Sequence, residues 1–329
     1  MVKRLINNFF STLCYCDTKL FVLSIQKYVS DNDLITQLLL EKEFKTSWRE
    51  KINYSLYGEK YNVKILSKTF LNNTAKLNVS VTHNFSLINT YDVHRSSEVL
   101  KFAIILKKIG HCWTIYDLCS NEFSKEIYNY ILSSDISDYH PKYRQHIINF
   151  WKNKIDTIDN IVSCFSISSY KYRTNYFNTN RKLIYDYKRA IDYARKYALD
   201  YNKNYKSFAD MGGDCTNFIS QCLRAGNLKE NISWKPYTYS WIRVNYLYNY
   251  LLDNSLAADI TNTKEFPPGS VLQFFNNEEN AYAHSVMITQ ALPNGDYLYC
   301  CHSYDKLDYP LSEIYPLFYQ KFRVLEIIV

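Results

Sequence analysis

The chain has 329 residues, enough for two domains of ordinary size. Hydrophobic residues make up 47% and charged residues 22%, a balance that excludes a disordered or fibrous protein. The formal charge of +7 is spread along the chain without a block of about five or six lysines or arginines, so nothing in it reads as a nucleic-acid footprint.

The 32 tyrosines, and the scarcity of Gly and Pro at 7 each, are read as the mark of an AT-rich genome and not as a stacking surface. The 9 cysteines include no CxxC pair, which argues against a zinc site of the usual spacing and against a complete disulfide framework. Free thiols in a reducing compartment fit best, so a cytoplasmic location is expected, with no metal or cofactor.

At the N-terminus Asn7, Asn8 and Asp17 interrupt the apolar stretch, while Leu5, Ile6, Phe9, Phe10 and Leu13 fall on one side of a helix. The segment reads as an amphipathic helix and not as a signal peptide; secretion or cell-wall association would need a targeting segment that this stretch does not display. No run reaches the ~18 to 20 apolar residues of a membrane span.

Helical patterning continues to about residue 46, and alternating strands follow. Val63 to Phe70, Thr74 to Asn84, Ser97 to Lys107 and His111 to Leu118 are rich in β-branched and aromatic residues, with turns at Asn72, Asn73 and Gly110. A helix packed on a curved antiparallel sheet is the expected α+β arrangement for residues 1–119. The layout resembles the cone-shaped fold of nuclear-transport-factor-like domains, which implies a pocket or a dimerisation unit. His83 and His94 are its only plausible polar site residues, and each is read as a surface or strand-edge residue.

Residues 120–180 read as a helical spacer and linker. Ile147, Ile148, Trp151, Ile155, Ile158 and Ile161 recur at helical spacing, Pro141 after Asp138 suits a helix start, and the polar stretch 166–180 is the domain boundary. The second domain, 181–329, opens with an amphipathic helix in which Leu183, Ile184, Tyr187, Ala190, Ile191, Ala194, Tyr197, Ala198 and Tyr201 form a packing stripe.

The segment MGGDCTNFISQCLRAGN, 211–227, predicts a tight turn into a helix that begins at Cys215. Asp214 is the N-cap, Phe218, Ile219, Cys222 and Leu223 are the buried face, and Gly226 is the stop. A thiol in a helix's first turn faces unpaired N–H groups and the positive end of the dipole, which favour the thiolate; a charged Asp214 opposes them. The same N–H groups suit a developing oxyanion.

Downstream, PPGSVLQFF leads into an apolar strand, and AHSVMIT alternates so that His284, Val286 and Ile288 share one face. That face is expected to carry the His284 imidazole toward the helix start, as a Cys-first, His-later pair. PNGD at 293–296 signals a hairpin into YLYCCHSYD, which brings His302 and Asp305 near the level of His284. His302 is the candidate for the third polar group that fixes the imidazole tautomer, and Asp305 is the alternative. Cys300 and Cys301 are adjacent on a strand, so they point to opposite faces and make a poor metal site.

DCTNFISQC, PPGSVLQFF and AHSVMIT followed by YCCHS occur in the order found in the amidase domain family of papain-like cysteine hydrolases, and residues 181 to about 325 resemble that family, a relative of the NlpC-type and CHAP-type cell-wall peptidases. The resemblance implies a papain-like α+β core, metal-free amide cleavage, a nucleophile at Cys215, a base at His284 and a third residue at His302. It further suggests Tyr205, Asp214, Trp241 and Asp305 as residues around the substrate. Ser270 stands where better-known relatives carry a non-catalytic Asp. The implied substrate is a peptide or cell-wall amide, and the rival reading is a papain-fold binding module without turnover.

Overall fold

The computed structural model describes residues 2–14, 18–89, 92–137, 139–165, 184–209, 211–263 and 265–329. The boundary stretch at 166–180, Leu183 at the head of the predicted helix, and Cys16, Asp17 and Asp138 lie outside the described residues. The chain divides into two compact units, Met1–Val162 and Ser163–Val329.

The first unit starts with helices α1 (Val2–Thr12), α2 (Thr18–Ile25) and α3 (Asn32–Lys51). Asp31 caps α3 by accepting the Leu34 N–H at 2.8 Å, which satisfies one of the donors a helix start leaves unpaired. Four antiparallel strands follow as a meander, β1 (Ser55–Leu71), β2 (Thr74–Ile88), β3 (Val93–Ile109) and β4 (Cys112–Ser120). The turns fall where the chain supplies residues that tolerate a left-handed backbone, Asn72 at φ 51° and Gly110 at φ 58°. Ala75, Leu77, Val79 and Val81 alternate inward along β2 and bury Ile6, Phe9 and Phe10 of α1.

The segment read as a spacer supplies α4 (Lys125–Ser133), α5 (Arg144–Asp156) and α6 (Ile158–Phe165). Tyr128 and Ile131 of α4 cover Ala103 and Ile105 on β3, and Trp151 of α5 packs on Phe44 of α3 at 5.6 Å between ring centroids. Asp117 anchors this layer: its carboxylate takes the hydroxyls of Tyr139 and Tyr143 and an Arg144 N–H at 2.8 Å.

In the second unit the helices are α7 (Tyr187–Tyr197), α8 (Cys215–Ala225), α9 (Tyr239–Ile242) and α10 (Val244–Asp253). The strands are β5 (Ala257–Asp259), β6 (Val271–Asn276), β7 (Ala281–Ala291), β8 (Tyr297–Cys301), β9 (Asp305–Pro310) and β10 (Phe322–Ile327). They form an antiparallel sheet in the order β9-β8-β7-β6-β10-β5. The core between helices and sheet gathers Ala190 and Ala194 of α7, Phe218, Ile219, Cys222 and Leu223 of α8, Trp234, Trp241 and Leu251 with Val271, Met287 and Leu325 of the strands. The predicted buried face of α8 and its end at Gly226 are both present. Fully burying each large apolar side chain contributes about 1.5–3 kcal/mol, so α8 is held by packing more than by its own propensity.

Leu223 is fully buried in that core. Leu223→Ala is expected to destabilise the second unit by about 2–5 kcal/mol in urea unfolding followed by circular dichroism.

Candidate active site

Gly212 and Gly213 sit at φ 107° and 135°, backbone that L side chains rarely adopt, and they turn the chain sharply into α8. A Cβ on Gly213 would lie 3.3 Å from Ser303 Oγ, and the Ser303 hydroxyl accepts the Asp214 N–H at 2.5 Å. The turn is thus pressed against the chain that follows β8.

Asp214 takes the N-cap position, but its carboxylate makes no cap bond to the helix backbone. One oxygen, Oδ1, accepts the Phe208 N–H at 2.7 Å and an Asn217 amide N–H at 2.9 Å; the other, Oδ2, lies 2.7 Å from His302 Nδ1. Nε2 of His302 lies 2.8 Å from the Tyr197 carbonyl, and the ring is sandwiched between Tyr201 and Phe218 at 3.8 and 4.0 Å. A carbonyl oxygen only accepts, so Nε2 carries a proton, and Nδ1 and Asp214 Oδ2 share another.

Cys215 is the first residue of α8, as the sequence implies, and is buried. Its Sγ lies 3.9 Å from the Ala283 carbonyl oxygen and 3.7 Å from Thr216 Oγ1. Burial raises the thiol above its ordinary value, and hydrogen bonds from the Ser285 and Thr216 backbone and the Thr216 hydroxyl only partly offset this. The thiolate expected from a helix start does not prevail, because desolvation outweighs the N–H groups.

Residues 284–289 of β7 are all buried, so the strand has no solvent face there, and the residue facing Thr216 is Ser285, with 3.2 Å between the hydroxyl oxygens; Gln273 Nε2 donates to the same Ser285 oxygen at 3.3 Å. His284 pairs across strands with Phe274, its ring 6.1 Å from that ring and 5.9 Å from Tyr304. Among the described residues no hydrogen bond joins its imidazole to Cys215, His302 or Asp305. Burial, aided by the Lys306 charge, holds His284 down to about 3. Burial thus favours the neutral thiol at Cys215 and the neutral imidazole at His284.

The remaining candidates occupy other places. His302 is committed to Asp214 and Tyr197, because the chain reverses at Ser303 and Tyr304, at φ 62° and 103°, and swings its ring to the helices. Asp305 accepts the Tyr201 hydroxyl at 2.9 Å, and burial raises its carboxyl above the usual range. Trp241 is fully buried and donates to Asn217 Oδ1 at 2.8 Å, which steadies the loop carrying Lys206 through the Asn217 amide. Tyr205 lies beside the C-terminal half of α8, its hydroxyl accepting from Arg224 Nη1 at 2.5 Å. Ser285 and Thr216 were not singled out from the sequence, although both adjoin the chosen pair.

In the first unit, His83 and His94 are buried, contrary to the surface or strand-edge reading. Nε2 of His83 lies 3.0 Å from Glu59 and Nδ1 lies 3.2 Å from Glu98, carboxylates that reach it from the strands on either side. Burial pulls His83 down, but its bonds to both glutamates prevail and raise it. Among the described residues no cluster of His, Cys, Asp and Glu is arranged to hold a metal ion, and no helix is long and apolar enough to cross a membrane.

Residues 184–324 match the family described as "Putative amidase domain". The chain is also similar to two proteins of Bacillus subtilis (strain 168). One is the uncharacterized protein YjcM, 34% identical over 122 residues, covering 36% of this chain and 29% of that protein. The other is the uncharacterized protein YhbB, 28% identical over 121 residues, covering 33% of this chain and 38% of that protein. The matched stretch thus spans about a third of the length of these relatives. Among solved structures, the intermembrane space region of chloroplast protein ARC6 aligns over 36% of this chain and 96% of its own, at 10% identity and a TM-score of 0.26.

Two outcomes follow from the geometry of this second unit. Removing one member of a buried, hydrogen-bonded pair strands the other, so His302→Ala is expected to cost about 3–5 kcal/mol. Adding Asp214→Ala should cost less than the sum of the single losses, as read in a double-mutant cycle of urea unfolding. The folded-state value of His284 lies below its unfolded one, so its contribution is intact above about pH 6.5 and is lost as pH falls toward about 3. Stability should therefore decline more steeply with acid in the wild type than in His284→Leu, when urea midpoints at pH 7 and pH 4 are compared.

Proposed function

We propose that the amidase-family segment is a papain-like cysteine hydrolase that cleaves amide bonds, with Cys215 as nucleophile and His284 as base. The observation that carries this reading is the seat of the sulfur: Cys215 begins α8, and its Sγ lies 3.9 Å from the carbonyl oxygen of Ala283, the residue before His284.

The neutral pair favours concerted general-base attack over a preformed ion pair. The His284 imidazole takes the thiol proton as the Sγ–C bond forms, and the tetrahedral oxyanion is met by the Cys215 N–H at the positive end of α8. The imidazolium then protonates the leaving amine, giving a thioester. Water, deprotonated by His284, attacks that thioester, releases the acid and restores the thiol. The imidazole reaches Sγ when substrate is bound, since hydrogen bonds of this kind commonly tighten only in the complex. Asp214, His302 and Trp241 act from behind, holding the turn that presents the sulfur.

The substrate class we favour is a peptide amide, cell-wall stem peptides included, acted on in a reducing compartment that keeps the thiol free. The test is hydrolysis of peptide anilides and wall-derived peptides by the full chain. Cys215→Ala should abolish turnover, and His284→Ala should lower kcat about 10²–10⁴-fold. Undiminished turnover by Cys215→Ala overturns the assignment, and equal peptide binding by wild type and Cys215→Ala without any turnover establishes a binding module instead. With both groups neutral, kcat/KM should stay flat from pH 5 to 8. Iodoacetamide labelling of Cys215 should rise with a midpoint above the ~8.5 of a free thiol.

A further inference from the structure

Beside the C-terminal half of α8 lies a pocket of about 520 Å³, lined in part by Tyr193, Asn202, Tyr205, Gln221, Arg224 and Tyr237. Its volume falls within the ~300–1,000 Å³ of small-molecule sites. Arg224 is nine residues beyond Cys215 on the same helix, about 13 Å along the axis at 1.5 Å per residue, so the pocket is separate from the sulfur.

The hydrogen bonds around the pocket leave donors unused. The Tyr193 hydroxyl donates to Gln221 Oε1 at 2.8 Å and receives an Asn202 amide N–H at 2.8 Å, so it is fully engaged. The Gln221 carbonyl is thereby occupied, while among the described residues its Nε2 has no partner, although the residue is only 3% exposed. Tyr205 oxygen receives Arg224 Nη1, and Tyr237 oxygen receives the Lys206 N–H at 2.8 Å, so each phenol keeps its own hydrogen to give. Glu230 fixes the guanidinium through Nε at 2.5 Å, and Nη2 is left without a partner among the described residues.

Tyr237 is held in the left-handed region at φ 76°, an unusual conformation for a bulky residue, with its ring 5.9 Å from Phe208. Two tyrosines therefore offer ring surface, and an amide, a guanidinium and two phenols offer N–H and O–H. One cation stands among the named lining residues, and its charge is shared with Glu230.

We propose that this pocket binds a small monoanionic carboxylate with a flat apolar body: the carboxylate oxygens take the Gln221 amide and the Arg224 guanidinium, and the body lies against Tyr205 and Tyr237. The Gln221 amide N–H and the Arg224 guanidinium face the pocket with donors to spare, and a carboxylate takes them in charge-assisted bonds. A dianion such as phosphate would bring excess charge toward Glu230.

Benzoate titrated into the full chain by calorimetry is the probe, with benzamide, acetate and inorganic phosphate as comparisons. Benzoate should bind more tightly than all three. Arg224→Gln and Gln221→Leu should each weaken it at least about tenfold, since lost charge-assisted bonds are worth that much or more. Arg224 is largely exposed, so Arg224→Gln should keep the wild-type circular dichroism and melting curve. Cys215→Ala should bind benzoate as wild type does, which separates this site from the hydrolase reading. Benzamide or phosphate binding as tightly as benzoate, or undiminished benzoate binding by a folded Arg224→Gln, overturns the proposal.

Discussion

The contact between Asp214 and His302 sets the geometry of the second unit. It joins the residue before the first turn of α8 to the residue just past β8, and each member spends its remaining polar atoms on a further segment: the backbone at Phe208, the Asn217 amide, the Tyr197 carbonyl. Two stacked rings close the imidazole off from solvent. In that low-dielectric setting a polar network stabilises only if every member is satisfied, and here the nitrogens of His302 and both oxygens of Asp214 are. The position of Cys215 follows from this, because the helix cannot shift along the sheet without breaking the pair.

Desolvation governs the ionisation of Cys215 and His284 more than the helix dipole does. Cys215 lies at the helix end that should favour an anion, yet its burial raises the thiol, and burial of His284 pushes its imidazole down to about 3. Both effects have one cause, the loss of water from the charged form, and they act in opposite directions on an acid and a base. In the hydrolysis proposed above, such a neutral thiol and imidazole would couple proton transfer to attack.

Much of the architecture was legible in the residues. The alternation of Ala75, Leu77, Val79 and Val81, the left-handed Asn72 and Gly110, the amphipathic first helix and the span of α8 from Cys215 to Gly226 all follow from local periodicity and turn chemistry. Less legible were contacts that depend on where a strand ends. His302 was assigned to His284 on a hairpin count, but the reversal at Ser303 and Tyr304 turns its ring to Asp214. His83 reads from the sequence as a surface or strand-edge residue, yet it is buried, and Glu59 and Glu98 reach it from the neighbouring strands. Tyr205, which the family resemblance suggests beside the substrate, accepts from Arg224 near the other end of α8.

The sequence by itself determined the periods, the turns, the order of cysteine before histidine and the helix that opens on the thiol, because each of these is set by neighbours within a few residues. Only the tertiary structure decided which face of β7 meets α8, which acid takes His302, and that the thiol and imidazole stand neutral. Those outcomes depend on burial and on cross-strand register, and both are properties of segments brought together from distant parts of the chain.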